Sequence, residues 1–150
     1  MFFGTISRIR YEVNQTKINP PQDFTLDVED DNFLQWKGVI LGPEGTPYEG
    51  GNLKFYVELS ERYPMKRPIF YFDPPLYHLN VNQRSGQIYL YILDFKWSSK
   101  IKLREICEEI IRIIKEPDPS ISNDELDSIF RNRVEYDRLA REWTQHNAMP

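Results

Sequence analysis

Few residues in this chain are of types that do covalent or acid–base chemistry, and their spacing rules out much of it. The only cysteine is Cys107 and the only histidines are His78 and His146. One thiol allows no internal disulfide and no cysteine-based zinc site. The histidines lie far apart, with no carboxylate spacing that reads as metal ligation, so neither a metal nor a cofactor is expected. Polar, chemistry-bearing side chains gather instead in one irregular stretch, His78 to Leu93, which holds His78, Asn80, the Gly86 turn, Tyr89 and Tyr91. Polar segments held between apolar elements are where sites tend to be built. A side-chain amide such as that of Asn80 donates to backbone or to a developing oxyanion. His78 reads more simply as a local hydrogen-bonding group than as a catalyst.

The elements that must position this stretch are legible on either side of it. Phe2 or Phe3, Ile6, Ile9 and Val13 recur at helical spacing, with Arg8, Arg10, Glu12 and Asn14 elsewhere on the wheel. Asn19-Pro20-Pro21 ends that helix. Phe24 to Glu29 alternates as a half-buried strand, and Phe33 to Leu41 follows a turn at Asp30-Asp31-Asn32. A loop of glycine and proline chemistry leads to a third strand around Leu53, Phe55, Val57 and Leu59. Ile69 to Phe72 reads as a fourth. Short connections between successive strands point to an antiparallel meander.

After Trp97 the period changes to helical. Leu103, Ile106, Cys107, Ile110, Ile113 and Ile114 trace one face. Cys107 is thereby expected in the core, where a thiol is a small hydrophobe. Glu116-Pro117-Asp118-Pro119 stops this helix, and Ser122 with Glu125 reads as a capping box for the last helical region. There Leu126, Ile129, Phe130, Tyr136, Leu139, Ala140 and Trp143 supply the apolar stripe. The order is segregated α+β.

At 150 residues, with 40% hydrophobic and 28% charged residues, residues 1–150 read as a single domain with one core. A net charge of −4 with acids and bases interspersed gives no footprint for nucleic acid. No apolar run approaches the ~18–20 residues needed to span a bilayer, so no membrane is expected. Arg8 and Arg10 interrupt the N-terminus before a secretory pattern develops. A cytoplasmic or nuclear location, or both, is expected by elimination.

Several motifs in their order carry a resemblance. They are Trp36-x-Gly38-x-Ile40-x-Gly42-Pro43, Thr46-Pro47-Tyr48-x-Gly50-Gly51, Tyr63-Pro64 with Pro68, His78-x-Asn80-Val81, Gly86-x-Ile88-x-Leu90, Trp97-Ser98, and the ending Arg138 to Gln145. Over essentially its whole length the chain resembles the ubiquitin-conjugating enzyme family, in its small, extension-free form. The resemblance implies an N-terminal helix, a four-stranded antiparallel meander sheet, a central helix and two C-terminal helices, with a break near Arg131-Asn132. It also implies transthiolation, in which a cysteine takes ubiquitin or a related modifier as a thioester and passes it on.

The departure is at the centre. Where the family pattern Gly-x-Ile-Cys-Leu has its catalytic cysteine, this chain has Tyr89. His-Pro-Asn is His78-Leu79-Asn80, keeping the oxyanion-associated asparagine and losing the proline. Tyr91 stands where the family has an acid, and Pro119 to Ser122 replaces an Asp-rich turn. A thiol near pKa 8.5 is a few per cent ionised at neutral pH, whereas a phenol near 10 is roughly 0.1% ionised. Sulfur is also the better nucleophile. Tyr89 is therefore expected to be a packed or partly exposed aromatic that carries no modifier.

In the family, activating enzymes and ligases meet the first helix and two loops. The matching residues here are Arg8 and Arg10, Met65 in place of a loop aromatic, and Trp97-Ser98-Ser99, which lacks the family's proline. Thr25 matches a back-face position where some members bind ubiquitin non-covalently. The expected function is a non-catalytic variant of the fold that binds ubiquitin, a ubiquitin-like modifier or an active conjugating enzyme, with a ligase a further possible partner, and so modulates conjugation. An active conjugating enzyme using an unexpected residue, or one read here from an altered sequence, is the alternative. A purely structural interaction domain is the third reading.

Overall fold

The element order in the computed structural model, which describes residues 3–122 and 124–150, follows the meander expectation. Helix α1 (Phe3–Ile18) precedes strands β1 (Phe24–Glu29), β2 (Asn32–Leu41), β3 (Asn52–Glu58) and β4 (Ile69–Phe72). A single turn α2 (Tyr91–Asp94) leads to α3 (Leu103–Lys115), a 3-10 turn (Pro119–Ile121), α4 (Asp124–Phe130) and α5 (Arg133–Asn147). The strands pair antiparallel in sequence order. The break at Arg131 and Asn132 separates the two C-terminal helices. Neither α2 nor the 3-10 turn was legible from periodicity, because each is a single turn.

Alternation sets the two faces of the sheet. Phe24, Leu26, Trp36, Ile40, Leu53, Phe55 and Val57 are buried on the inner face, with Phe24 opposite Ile40 and Trp36 opposite Val57. The α3 stripe Leu103, Ile106, Cys107, Ile110, Ile113 and Ile114 is buried in the same core. Each such aliphatic side chain contributes roughly 1.5–3 kcal/mol of gross burial energy. That shared core holds α3 behind the site stretch.

Helix α1 departs from its expected stripe. Of Phe3, Ile6, Ile9 and Val13 only Ile9 is fully buried, and Phe3 is 87% exposed; Phe2 lies outside the described residues. Glu12, placed by the wheel on the solvent side, is buried instead. The inner face of α1 meets the start of α3 and the loop at Tyr63, where polar groups need an acceptor, so a paired carboxylate occupies the contact.

A second cluster fixes the C-terminal helices to the site stretch. Leu79, Leu126 and Tyr136 are buried together, with Phe130 edge-on to Tyr136 at 4.9 Å. The Tyr136 hydroxyl accepts the Leu79 N–H at 3.0 Å. Ser122 precedes α4 as expected, but its hydroxyl donates to the Asp127 carboxylate, and Asn123 lies outside the described residues. Among the described residues no helix is long and apolar enough to cross a membrane.

Candidate functional site

Within the stretch from His78 to Leu93, Gly86 to Ile88 are laid along the free edge of β4. The chain reaches that edge through a turn at Asn82 to Gly86. The Asn82 Oδ1 accepts the N–H groups of Arg84 and Ser85 at 2.9 and 3.0 Å, the usual way an asparagine builds a turn. Gly86 has φ +77°, and a Cβ there would lie 1.9 Å from the Phe72 carbonyl oxygen. Only glycine lets the Phe72 N–H reach the Gly86 carbonyl at 2.8 Å. Ile88 then donates to the Phe70 carbonyl at 3.1 Å. The edge strand is thus paired locally rather than left open.

His78 is fully buried and occupied on both nitrogens. Its Nε2 faces the Ile113 carbonyl at 2.9 Å, and its Nδ1 faces the Asn80 N–H at 2.9 Å. A carbonyl on one side and an N–H on the other assign the neutral ring with the proton on Nε2. Burial lowers its pKa to about 4, against opposing hydrogen bonds from the α3 backbone. This imidazole joins the stretch to α3 and is closed off from solvent.

Asn80 is likewise fully buried. Its Nδ2 donates to the carbonyls of Asp118, at 2.9 Å, and Ile121, while its Oδ1 accepts the Asp118 N–H at 2.9 Å. Both amide N–H groups are therefore occupied by the turn after α3, and neither faces an oxyanion. Asn80 thereby ties its own segment, just before the Gly86 turn, to the Pro119–Ile121 turn across the site. The Asp118 carboxylate is held below its usual range by hydrogen bonds from the hydroxyl and N–H of Ser120.

Tyr89 lies between these groups, half-buried. Its N–H donates to the Asn80 carbonyl at 2.7 Å, and its hydroxyl oxygen accepts the Asn82 Nδ2–H at 2.9 Å. A neutral amide that donates to the phenol oxygen does not take its proton, so this contact provides no general base. Cys107 is fully buried, and burial raises its thiol pKa well above the usual range. Reactive thiols sit where the thiolate is stabilised and reachable. This one is neither.

The residues matched to a partner face fall into two groups. Arg10 and Ser98 are exposed, Met65 is 75% exposed, and Thr25 is exposed on the outer face of the sheet. Arg8, Trp97 and Ser99 are partly buried at contacts that join α1 to the loop at 97–101 and that loop to the one at Pro64. Arg8 donates to the carbonyls of Ser99 and Ile101, and the Trp97 indole donates to the Pro64 carbonyl at 3.0 Å. The sequence reading missed Glu12, Asn82 and Asp118. The Asn82-x-x-Ser85-Gly86 turn pattern was a usable signal for Asn82, whereas nothing local marked Glu12. Among the described residues no cluster of His, Cys, Asp or Glu could hold a metal ion.

Comparison with known proteins gives the family and the fold. The family model for ubiquitin-conjugating enzymes matches residues 8–144. The chain is 35% identical over 127 residues, 83% of its own length and 82% of the relative's, to the Arabidopsis thaliana protein named probable ubiquitin-conjugating enzyme E2 31. A crystal structure of a proposed ubiquitin-conjugating enzyme from Plasmodium yoelii is similar over 100% of this chain and 99% of that one, with a TM-score of 0.89 at 27% identity.

Proposed function

We propose, from the premise that the chain belongs to the ubiquitin-conjugating enzyme family, that this ubiquitin-pathway protein acts by binding and not by carrying the modifier. One observation carries the reading. The position where the family has its nucleophilic cysteine is Tyr89, whose hydroxyl rests against the Asn82 amide. The groups around it that could assist are occupied elsewhere: both nitrogens of His78, both amide hydrogens of Asn80, and Cys107 inside the core. In this reading the chain binds ubiquitin, a related modifier or an active conjugating enzyme and modulates conjugation, with a ligase as a further partner, in the cytoplasm, the nucleus or both.

The test is a charging assay with activating enzyme, ATP and ubiquitin, run on reducing and non-reducing gels. The expected result is no adduct. A thiol-sensitive band would assign the carrier to Cys107 and defeat the proposal. A band stable to thiol and cleaved by base would make Tyr89 or another hydroxyl the carrier and establish the enzymatic alternative. A Tyr89→Cys protein run beside it asks whether the surrounding frame still supports transfer. Titration with ubiquitin or an active conjugating enzyme supplies the positive arm, and binding to neither removes the proposed mechanism.

A further inference from the structure

The geometry points to Glu12 and Arg8 as positioning residues for one face of the molecule, formed by the first half of α1 and the loops at 60–67 and 95–102. Glu12 is only 5% exposed. Three donors converge on its carboxylate: the Leu103 N–H at 2.6 Å, the Arg8 Nε at 3.0 Å, and the Tyr63 hydroxyl. Arg8 extends the cluster to the second loop. It donates to the Ser99 carbonyl and to the Ile101 carbonyl, the latter at 2.7 Å, with its guanidinium 5.5 Å from the Tyr63 ring centroid. Thr5 adds a bond to the Glu61 carbonyl at 2.9 Å. The Trp97 indole, donating to the Pro64 carbonyl, fastens one loop to the other.

Both loops lack ladder partners, so these side-chain-to-backbone bonds, together with the buried Tyr63 ring and the Arg67–Asp94 ion pair at 2.8 Å, hold them in place. The same carboxylate also completes α3. The helix starts after Lys102, which has no acceptor side chain to cap it, and its first amides need acceptors. Glu105 takes the Lys102 N–H at 3.2 Å and Glu12 takes that of Leu103. Glu12 therefore meets the first turn of α3 directly and, through Arg8, the loop before it. Met65 and Phe95, 75% and 65% exposed, stand on the loops held in this way.

The chemistry requires an anion that only accepts. Burial and the neighbouring Glu12 carboxylate push the Tyr63 hydroxyl well above its usual range, so it remains a donor. A glutamine at position 12 has nearly the same volume but offers one acceptor oxygen, and it turns an NH₂ toward donors. A lysine at position 8 has no planar fork with which to reach Glu12, Ser99 and Ile101 together. What this face docks rests on the binding role proposed above; the positioning itself does not.

Amide and indole hydrogen exchange, read by NMR on the full chain, tests the inference. In Glu12→Gln, exchange at the Leu103 and Ile101 amides and the Trp97 indole should rise about tenfold or more, with amides of Gly38 and Phe55 in the sheet unchanged. Arg8→Met should do the same at Ile101 and Trp97, and Arg8→Lys should fail to restore protection. Wild-type exchange at all three probes would overturn the assignment. So would a rise shared equally by the sheet, since that marks a general loss of stability. If Glu12→Gln does not fold, the two Arg8 variants decide by the same criteria.

Discussion

Asn80 and Glu12 are both buried polar side chains on which separate pieces of chain converge, but they work differently. Asn80 joins the site stretch to the turn after α3 through neutral bonds to Asp118 and Ile121. Glu12 joins α1, the Tyr63 loop and α3 through a carboxylate paired with Arg8. An amide matched to peptide groups leaves no charge behind when it is removed. Removing the carboxylate leaves a guanidinium, a phenol and an amide facing a gap. The residue whose type suggested chemistry holds a turn in place, and the residue that looked like solvent surface holds the more demanding position.

If that contrast is right, Glu12→Ala should be the most damaging change. It should cost about 3 kcal/mol in urea unfolding, the low end for a buried pair losing one partner, because Arg8 keeps 15% of its side chain in water. A loss under about 1 kcal/mol would place Glu12 with ordinary surface ion pairs.

The next effect tests the neutral side of the comparison through pH. Unfolded His78 takes up a proton near 6.5, whereas the buried ring resists until about 4. The stability this provides is complete above 6.5 and is lost as pH falls from there to about 4. The full difference is about 3 kcal/mol. His78→Gln should flatten that part of the stability–pH curve relative to wild type. Identical slopes would mean that the ring is reached by water.

Asn80→Ala should cost about 2 kcal/mol, since it leaves the Asp118 N–H and two carbonyls to find other partners. Exchange should rise at Asp118 and not at Leu103. A cost larger than that of Glu12→Ala would invert the comparison. Tyr89→Phe should have the smallest effect, about 0.5–1 kcal/mol for one bond to a half-buried hydroxyl, and should leave binding partners unaffected. Loss of partner binding on removal of that single oxygen would show Tyr89 itself to be part of a contact surface.

Much of the frame was legible because its cause is local and periodic. Alternation in β1 to β3 states which side chains face inward, and α3 repeats its apolar residues closely enough that all six predicted positions are buried. Burial of Cys107 followed from the same repeat. The helix α1 was misread because its stripe is narrow, and a wheel assigns a carboxylate to water unless a partner is known. The partners of Glu12, namely Tyr63 and Leu103, lie 51 and 91 residues away. No window along the chain contains them.

The sequence by itself determined the α+β meander, the core faces of β1 to β3 and of α3, and the tyrosine at position 89, because side-chain period and residue identity are properties of the chain alone. Only the tertiary structure decided what the polar groups do. It turned the Asn80 amide toward Asp118 and Ile121, enclosed His78 between Ile113 and Asn80, and closed the Glu12 carboxylate around donors from three segments. The physical reason is that hydrogen bonds and ion pairs are directional and short-ranged, so their partners are fixed only when distant segments meet.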